Sequence, residues 1–267
     1  MRQQPYAIRW MGTVAAAALL SLGLAGCQTT GLSDITGALG KRTEARADAD
    51  PVRAAEIAGE RYRANPKSAE AAMRFGQALR KTGQRAQAVA VLEQASLIHP
   101  TDRPLLGLYG KALVDNGDFQ KAFDILARAH TPANPDWRIL SVQGTALDQL
   151  GRHDEARRYY ASALKIVPNE PSVLSNLGVS YVLTKELPQA EQVLRQAYAR
   201  PGAGSRVRQN LALVVGLQGR FAEAENIVKA DLPADEAAAN VAYLKQMLNG
   251  RQPPRVGEAA TGSRRQS

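Results

Sequence analysis

Apolar positions recur along this chain at helical spacing, and the whole pattern repeats every 34 residues. Gly76, Gly110, Gly144 and Gly178 keep that step, and Ala212 takes the next place. A second small-residue register runs through Ala88, Ala122, Ala156, Ala190 and Ala224, and a third through Ala95, Ala129, Ala163 and Ala197. Large apolar residues fill the intervals. Leu79, Leu113, Leu147, Tyr181 and Val215 follow the glycine register by three places, and Leu92, Leu126, Tyr160, Leu194 and Val228 come later in each unit. Two stretches of helical period per unit predict two helices. Gly83, Gly117, Gly151 and Gly219 fall between them, where a permissive backbone lets the chain reverse. Lys185 breaks that register in the fourth unit.

Unit length, Gly, Ala, aromatic and closing Pro together resemble the tetratricopeptide repeat, a helix-turn-helix unit of 34 residues. The first unit carries Phe75, Gly76, Leu79, Gly83, Ala88, Leu92, Ala95 and Pro100. The third carries Trp137, Leu140, Gly144, Leu147, Gly151, Ala156, Tyr160, Ala163 and Pro168. Departures are local: Asn134 stands where the second unit's proline belongs, and the fifth unit has Arg208 in place of the usual large residue. The expected fold is an all-α tetratricopeptide-repeat solenoid of about five repeats, covering roughly 69 to 236. Gly and Ala at crossing points let paired helices approach to about 8–10 Å. No unit buries its apolar face alone, so stability accumulates along the stack and the ends need caps.

Pro51 to Pro66 repeats the phase of a second helix, since Ala54 sits 34 residues before Ala88; a single packing helix is expected there. At the other end Pro233 is placed to open a capping helix, with Asp235 and Glu236 at its positive end and Asn249 and Gly250 closing it. Ala237, Val241, Leu244 and Leu248 share the face expected to pack on the fifth repeat, leaving Glu236, Asn240 and Lys245 toward water. The repeat domain thus spans 51–250.

The first residues have a different logic. Arg2 and Arg9 flank a polar start, Trp10 to Leu22 is a short apolar run, and Leu24, Ala25, Gly26 and Cys27 follow, as in an export signal. A membrane span is the rival, but that needs about 20 apolar residues. The Leu24 to Cys27 run resembles the bacterial lipoprotein signal, which implies cleavage of residues 1–26 and a covalent lipid on Cys27, the chain's one cysteine. Acyl chains gain ~0.8 kcal/mol per buried methylene, so several chains anchor durably where one binds marginally. Gln28 in place of aspartate resembles the sorting context of outer-membrane lipoproteins, implying an outer-membrane protein facing the periplasm. Residues 27–50, rich in Gly, Thr, Ala and alternating charge, are expected to act as a flexible tether with ends on the order of 25–30 Å apart.

The formal charge is +9, of which residues 251–267 carry +3. The tail, residues 251–267, carries Arg251, Arg255, Arg264 and Arg265 against Glu258 and is expected to be disordered and basic. Aromatics make up 5% of the chain and no nucleic-acid signature accompanies the scattered bases, so no nucleic-acid partner is expected. His99, His130 and His153 each sit at helix ends or between helices, and none pairs with Cys or carboxylates at metal-ligand spacing. Asp154 and Glu155 are expected to be solvated turn residues, and Gly202 to Ser205 a turn without the strand or lysine of a phosphate loop. Neither an enzyme, a metal, a small-molecule substrate nor a cofactor beyond the lipid is expected.

Binding of another protein remains, and the inner face of a repeat stack is the natural place. In the repeat family the first helix of each unit lines it. That implies a polar surface from Met73, Gln77, Arg80, Lys111, Asp115, Ser141, Thr145 and Asp148 in the first three units. Units four and five bring Asn176, Val179, Val182, Leu183, Asn210, Leu213 and Leu217, an apolar strip with amides that suits a peptide segment. The alternative is that several of these pack beneath the C-terminal helix.

From Arg206 the chain becomes more distinctive: Arg208 to Leu213, Gly219 to Glu225, Asp231 to Pro233 and Ala239 to Leu244. With the Leu24 to Cys27 signal, these segments resemble the tetratricopeptide lipoproteins of the Tad (tight-adherence, Flp) pilus assembly machinery. The resemblance implies a non-enzymatic, pilotin-like scaffold whose partners are the pilus secretin and other Tad assembly proteins. A general periplasmic adaptor recruiting cell-wall hydrolases or envelope proteases has the same architecture and stays open as the alternative.

Overall fold

The first helices of the first four repeats start where a polar side chain caps them, and those caps recur with the 34-residue step. The computed structural model describes residues 50–250. Ser68 Oγ accepts the Ala71 amide at 3.2 Å, Asp102 Oδ1 that of Leu105 at 3.0 Å and Asp136 Oδ1 that of Arg138 at 2.8 Å. Glu170 holds the same place before Pro171, while Gly204 leaves the fifth unit without a side-chain cap. Such a cap satisfies amides that the helix cannot, typically for ~1 kcal/mol.

Twelve α-helices occupy the described residues. The single leading helix α1 spans Pro51–Ala64. Repeats follow as α2 (Ala69–Lys81) with α3 (Arg85–Ile98), α4 (Arg103–Asn116) with α5 (Phe119–Arg128), and α6 (Trp137–Gln149) with α7 (His153–Ile166). The fourth pairs α8 (Pro171–Leu183) with α9 (Leu187–Tyr198), the fifth α10 (Ser205–Leu217) with α11 (Phe221–Val228), and α12 (Ala234–Leu248) closes the order. The fold is an all-α tetratricopeptide-repeat solenoid. Pro233 precedes α12 as its N-cap rather than opening its first turn. Asp154 and Glu155 lie in the first turn of α7, where carboxylates suit the helix dipole, and not in a turn.

Within a repeat, the two helices are held by a large side chain seated on a glycine sixteen residues earlier. A Cβ added at Gly110 would lie 2.4 Å from the Leu126 side chain, one at Gly144 2.5 Å from Tyr160, and one at Gly178 2.5 Å from Leu194. The fifth repeat exchanges both members: Ala212 supplies a Cβ and Val228 is smaller, in one shared core cluster. Leu92, Leu126, Tyr160 and Leu194 are all buried.

Between the helices, a 6→1 hydrogen bond closes each turn, as from Arg152 N to Leu147 O at 2.9 Å and Glu186 N to Tyr181 O at 2.8 Å. This turn requires a left-handed residue, and Gly83, Gly117, Gly151 and Gly219 supply it at φ of 76° to 94°. Lys185 takes the same conformation at φ 64°, so the break in the sequence register leaves the turn unchanged. The cost falls on the lysine backbone.

Among the described helices, each first helix contacts the first helix of the next repeat, from α2–α4 to α8–α10, and α10 contacts α12 in the same way. Second helices approach one another less closely and meet through side chains, as Lys121 Nζ with Glu93 at 2.6 Å and the Phe123 ring with that of Tyr159. The first helices therefore form the tighter, inner layer. On the outer layer Glu191 accepts hydrogen bonds from Arg220, from Arg195 at 2.7 Å and from Gln218 at 2.9 Å, tying the fourth repeat to the fifth. Arg220 first, then Arg195, holds the Glu191 carboxyl at about 2.

Lys185→Gly is expected to raise stability by ~1 kcal/mol by relieving the left-handed penalty, read as a higher denaturant midpoint; a lower midpoint contradicts this account of the turn. Gly110→Ala forces Leu126 off its seat and is expected to lose about 1–3 kcal/mol in the same titration. Because the folded pKa of Glu191 is depressed, its contribution is full above about 4.5 and disappears as pH falls toward about 2. The stability difference between parent and Glu191→Gln should shrink across that window, and a constant difference would refute the linkage.

Candidate functional site

The inner surface is written in a four-residue stripe, i, i+4, i+7, i+11, that successive first helices present on one side. In α2 it reads Glu70, Arg74, Gln77, Lys81; in α4 Pro104, Leu108, Lys111, Asp115; in α6 Arg138, Val142, Thr145, Gln149. In α8 it becomes Ser172, Asn176, Val179, Leu183, and in α10 Arg206, Asn210, Leu213, Leu217. The surface thus grades from charged to apolar along the stack. Leu183 is 45% exposed and Leu213 41%.

Six of the seven candidate residues therefore share the two stripes of α8 and α10. Val182 sits on the adjoining flank, half-buried against the core of the fifth repeat with Tyr181, Ile227 and Val241. A charged substitution there perturbs packing as well as any surface. Asn176 Nδ2 donates to Ser141 Oγ at 3.0 Å and Asn210 Nδ2 to Ser175 Oγ at 2.9 Å, so both amides brace one first helix against the preceding one. Their carbonyl oxygens stay on the stripe.

Two residues expected on the polar inner face are inside instead. Ser141 is buried as the acceptor for Asn176. Asp148 is buried and takes Ser180 Oγ at 2.8 Å, Tyr160 Oη at 2.9 Å and His153 Nδ1 at 2.9 Å. Its carboxylate joins both helices of the third repeat to the fourth. Burial of a carboxylate is tolerable only when its lone pairs are used in this way. His153 is thereby accounted for, and His99 Nε2 lies 2.7 Å from the Lys67 carbonyl oxygen. Among the described residues no group of three or more His, Cys, Asp or Glu is placed to hold a metal ion.

Toward the first repeats the stripe is basic. Arg80 pairs with Asp115 at 2.6 Å and Arg74 with Glu70 at 2.7 Å. Lys111 has no acid within ion-pair distance among the described residues and lines a cleft of about 370 Å3 with Arg103, His130 and Asp136. Burial, then the Arg80 charge, lowers its pKa. At the apolar end a cleft of about 520 Å3 opens between α10, α11 and α12, lined by Leu213, Leu217, Val228, Tyr243, Leu244 and Met247 among others. The C-terminal helix thus flanks Leu213 and Leu217 without closing over them. Its stripe packs only in part: Ala237 is buried and Leu244 seats on Gly216, whereas Leu248 is 47% exposed, with no further helix among the described residues to meet it. Tyr243 and Met247 are not among the candidates that the sequence offers, since α12 stands outside the 34-residue register.

Cys27, the export signal, the tether and the basic tail lie outside the described residues. Among the described residues no helix is long and apolar enough to cross a membrane.

Known proteins agree on the architecture. The family described as anaphase-promoting complex, cyclosome, subunit 3 matches residues 48–129, and a tetratricopeptide repeat family matches residues 141–206. PilW, a widely conserved type IV pilus biogenesis factor, superposes with a TM-score of 0.61 at 17% identity, covering 80% of this chain and 100% of its own. A thermophilic tetratricopeptide-repeat protein of Thermus thermophilus gives 0.59 at 22% identity, over 67% of this chain and 99% of its own. No curated protein matches the chain in sequence. At these identities the likeness is one of fold. The fold is that of a tetratricopeptide-repeat solenoid, a kind of domain that mediates contacts between proteins.

Asp148→Ala leaves Ser180 Oγ buried without its acceptor and Tyr160 Oη with only the longer contact to Thr145 Oγ1 at 3.4 Å, and is expected to cost about 3 kcal/mol in denaturant unfolding. A loss below about 1 kcal/mol would mean that the carboxylate does not join the repeats.

Proposed function

We propose that this chain is a lipid-anchored, non-enzymatic scaffold of the Tad (Flp) pilus assembly machinery, similar to the TadD lipoproteins. In this reading the inner groove holds a peptide segment of the pilus secretin or of another pilus component. The lipid on Cys27 stations the groove at the outer membrane, and the protein assists secretin localisation or assembly as a pilotin does.

One observation carries the binding part: the apolar stripe of α8 and α10, with Leu183 and Leu213 standing in solvent on a rigid inner layer. What marks a binding surface is that these apolar side chains adjoin on one rigid face instead of being scattered singly. The pilus context is supported by the Leu24 to Cys27 signal and the Arg206 to Leu244 segments. PilW, which has this fold along its full length, is a pilus biogenesis factor.

Leu183→Glu with Leu213→Glu is expected to abolish secretin capture in a pull-down while the circular dichroism spectrum and melting stay those of the parent. Undiminished capture removes the groove from the account. Cys27→Ala is expected to leave a folded protein recovered in the soluble fraction, and recovery with membranes equal to the parent removes the anchor.

A further inference from the structure

The C-terminal helix repeats the inner face of the helices before it. Asn240, Val241, Ala242, Tyr243 and Leu244 align with Asn210, Leu211, Ala212, Leu213 and Val214, at a step of 30 residues instead of 34. The step shortens with α11, which has only 8 residues. The burial agrees with the alignment. Ala237, Val241 and Leu244 turn inward as Val207, Leu211 and Val214 do. Ala242, at the place of the glycine register, is exposed, since no second helix among the described residues covers it. The stripe of α12 then reads Glu236, Asn240, Tyr243, Met247, with asparagine again in the Asn176 and Asn210 position. Tyr243 is 49% exposed and Met247 54%. Asn240 differs from its two counterparts in having no hydrogen-bond partner among the described residues, so donor and acceptor are both free.

We propose that α12 is a sixth wall of the groove rather than a cap, and that the cleft it forms with α10 seats a bulky aliphatic or aromatic side chain of an extended partner segment whose neighbouring residues are acidic. Asn240 holds the main chain of that segment through its amide. The cleft, about 520 Å3, has Leu213 and Leu217 on one side and Tyr243 and Met247 on the other. Charge decides what flanks the anchor. Arg206 begins the α10 stripe, Arg138 the α6 stripe, and Lys111 lies beyond, none of them in an ion pair among the described residues. A carboxylate beside the anchor is attracted by Arg206 on the same stripe, against Glu236 at the head of the α12 stripe, and further along the groove the unpaired Arg138 and Lys111 favour acidic residues over basic ones. The chain's own residues from Arg251 onward carry four arginines and one glutamate, the wrong sign for this surface.

The inference rests on the inner groove being the binding surface, and the test separates the two. Full-length protein in detergent micelles is used to select from a displayed library of short random peptides, and an enriched peptide is titrated by fluorescence anisotropy. Enriched sequences are expected to place a large apolar residue beside Asp or Glu. Met247→Glu and Asn240→Ala should each weaken binding about tenfold. Arg206→Glu should weaken it and Arg206→Lys restore it. These positions are exposed, and unchanged melting curves confirm folding. Binding lost in Leu183→Glu but intact in the Met247 and Asn240 variants leaves the groove standing and sinks the sixth wall. Binding indifferent to all of them sinks both. No enrichment, or enrichment of basic or wholly polar peptides, overturns the proposal. So does concentration-dependent dimerisation in sedimentation that Met247→Glu abolishes, which would make a second copy the occupant.

Discussion

Contact between a glycine and the large side chain sixteen residues later governs this molecule. It brings the two helices of each repeat close enough that Leu126 or Tyr160 sits where a Cβ would be. Close-packed interiors leave little slack for alternatives, so the same contact fixes which face of each first helix meets its own partner and which is left over. The leftover face is the inner stripe. Where the fifth repeat changes the pair to Ala212 and Val228, it changes both members in compensating directions, and the helices keep their relation. The groove is thus a consequence of packing elsewhere.

Much of this is legible in the sequence because a repeat writes its packing several times over. The helix pairs, the left-handed turns and the single leading helix follow from registers that recur at one step. Asp148 and Ser141 are misplaced on the surface by periodicity, because a polar residue at a stripe-adjacent position looks the same whether it faces water or a buried partner. What buries Asp148 is supplied by His153, Tyr160 and Ser180, and only the folded stack brings the last of these to it. Periodicity alone also leaves Lys185 looking like a break, although the closing hydrogen bond from Glu186 holds its turn in the common form. The part of the groove on α12 escapes for the opposite reason. A short second helix shifts the register by four residues, and a search at the fixed step passes over Asn240.

The gradient along the inner layer connects this architecture to recognition. Rigid first helices, each buried against two neighbours, present their side chains without an ordering cost at the moment of binding. On the proposed reading, apolar groups at one end would supply affinity that salt does not screen, and unpaired bases toward the other would supply orientation. The depressed pKa of Lys111 reflects burial first and then the Arg80 charge, which together outweigh the nearby Asp136. Asn176 and Asn210 meanwhile lock the repeats together, which holds the apolar strip in register.

The two ends of the array are not equivalent. At α1 the solvent side carries Arg53, Glu56, Glu60 and Arg63, all exposed, the polar outer face that a repeat stack needs in order to stay in solution. At α12 the corresponding surface is Tyr243, Met247 and Leu248 beside an open cleft. Both ends face the same demand that exposed apolar surface be small, and only the first meets it. The apolar end is also the one where the chain departs from its own period. It therefore ends in an apolar cleft that no helix among the described residues closes, and on the proposed reading a side chain from another molecule packs there.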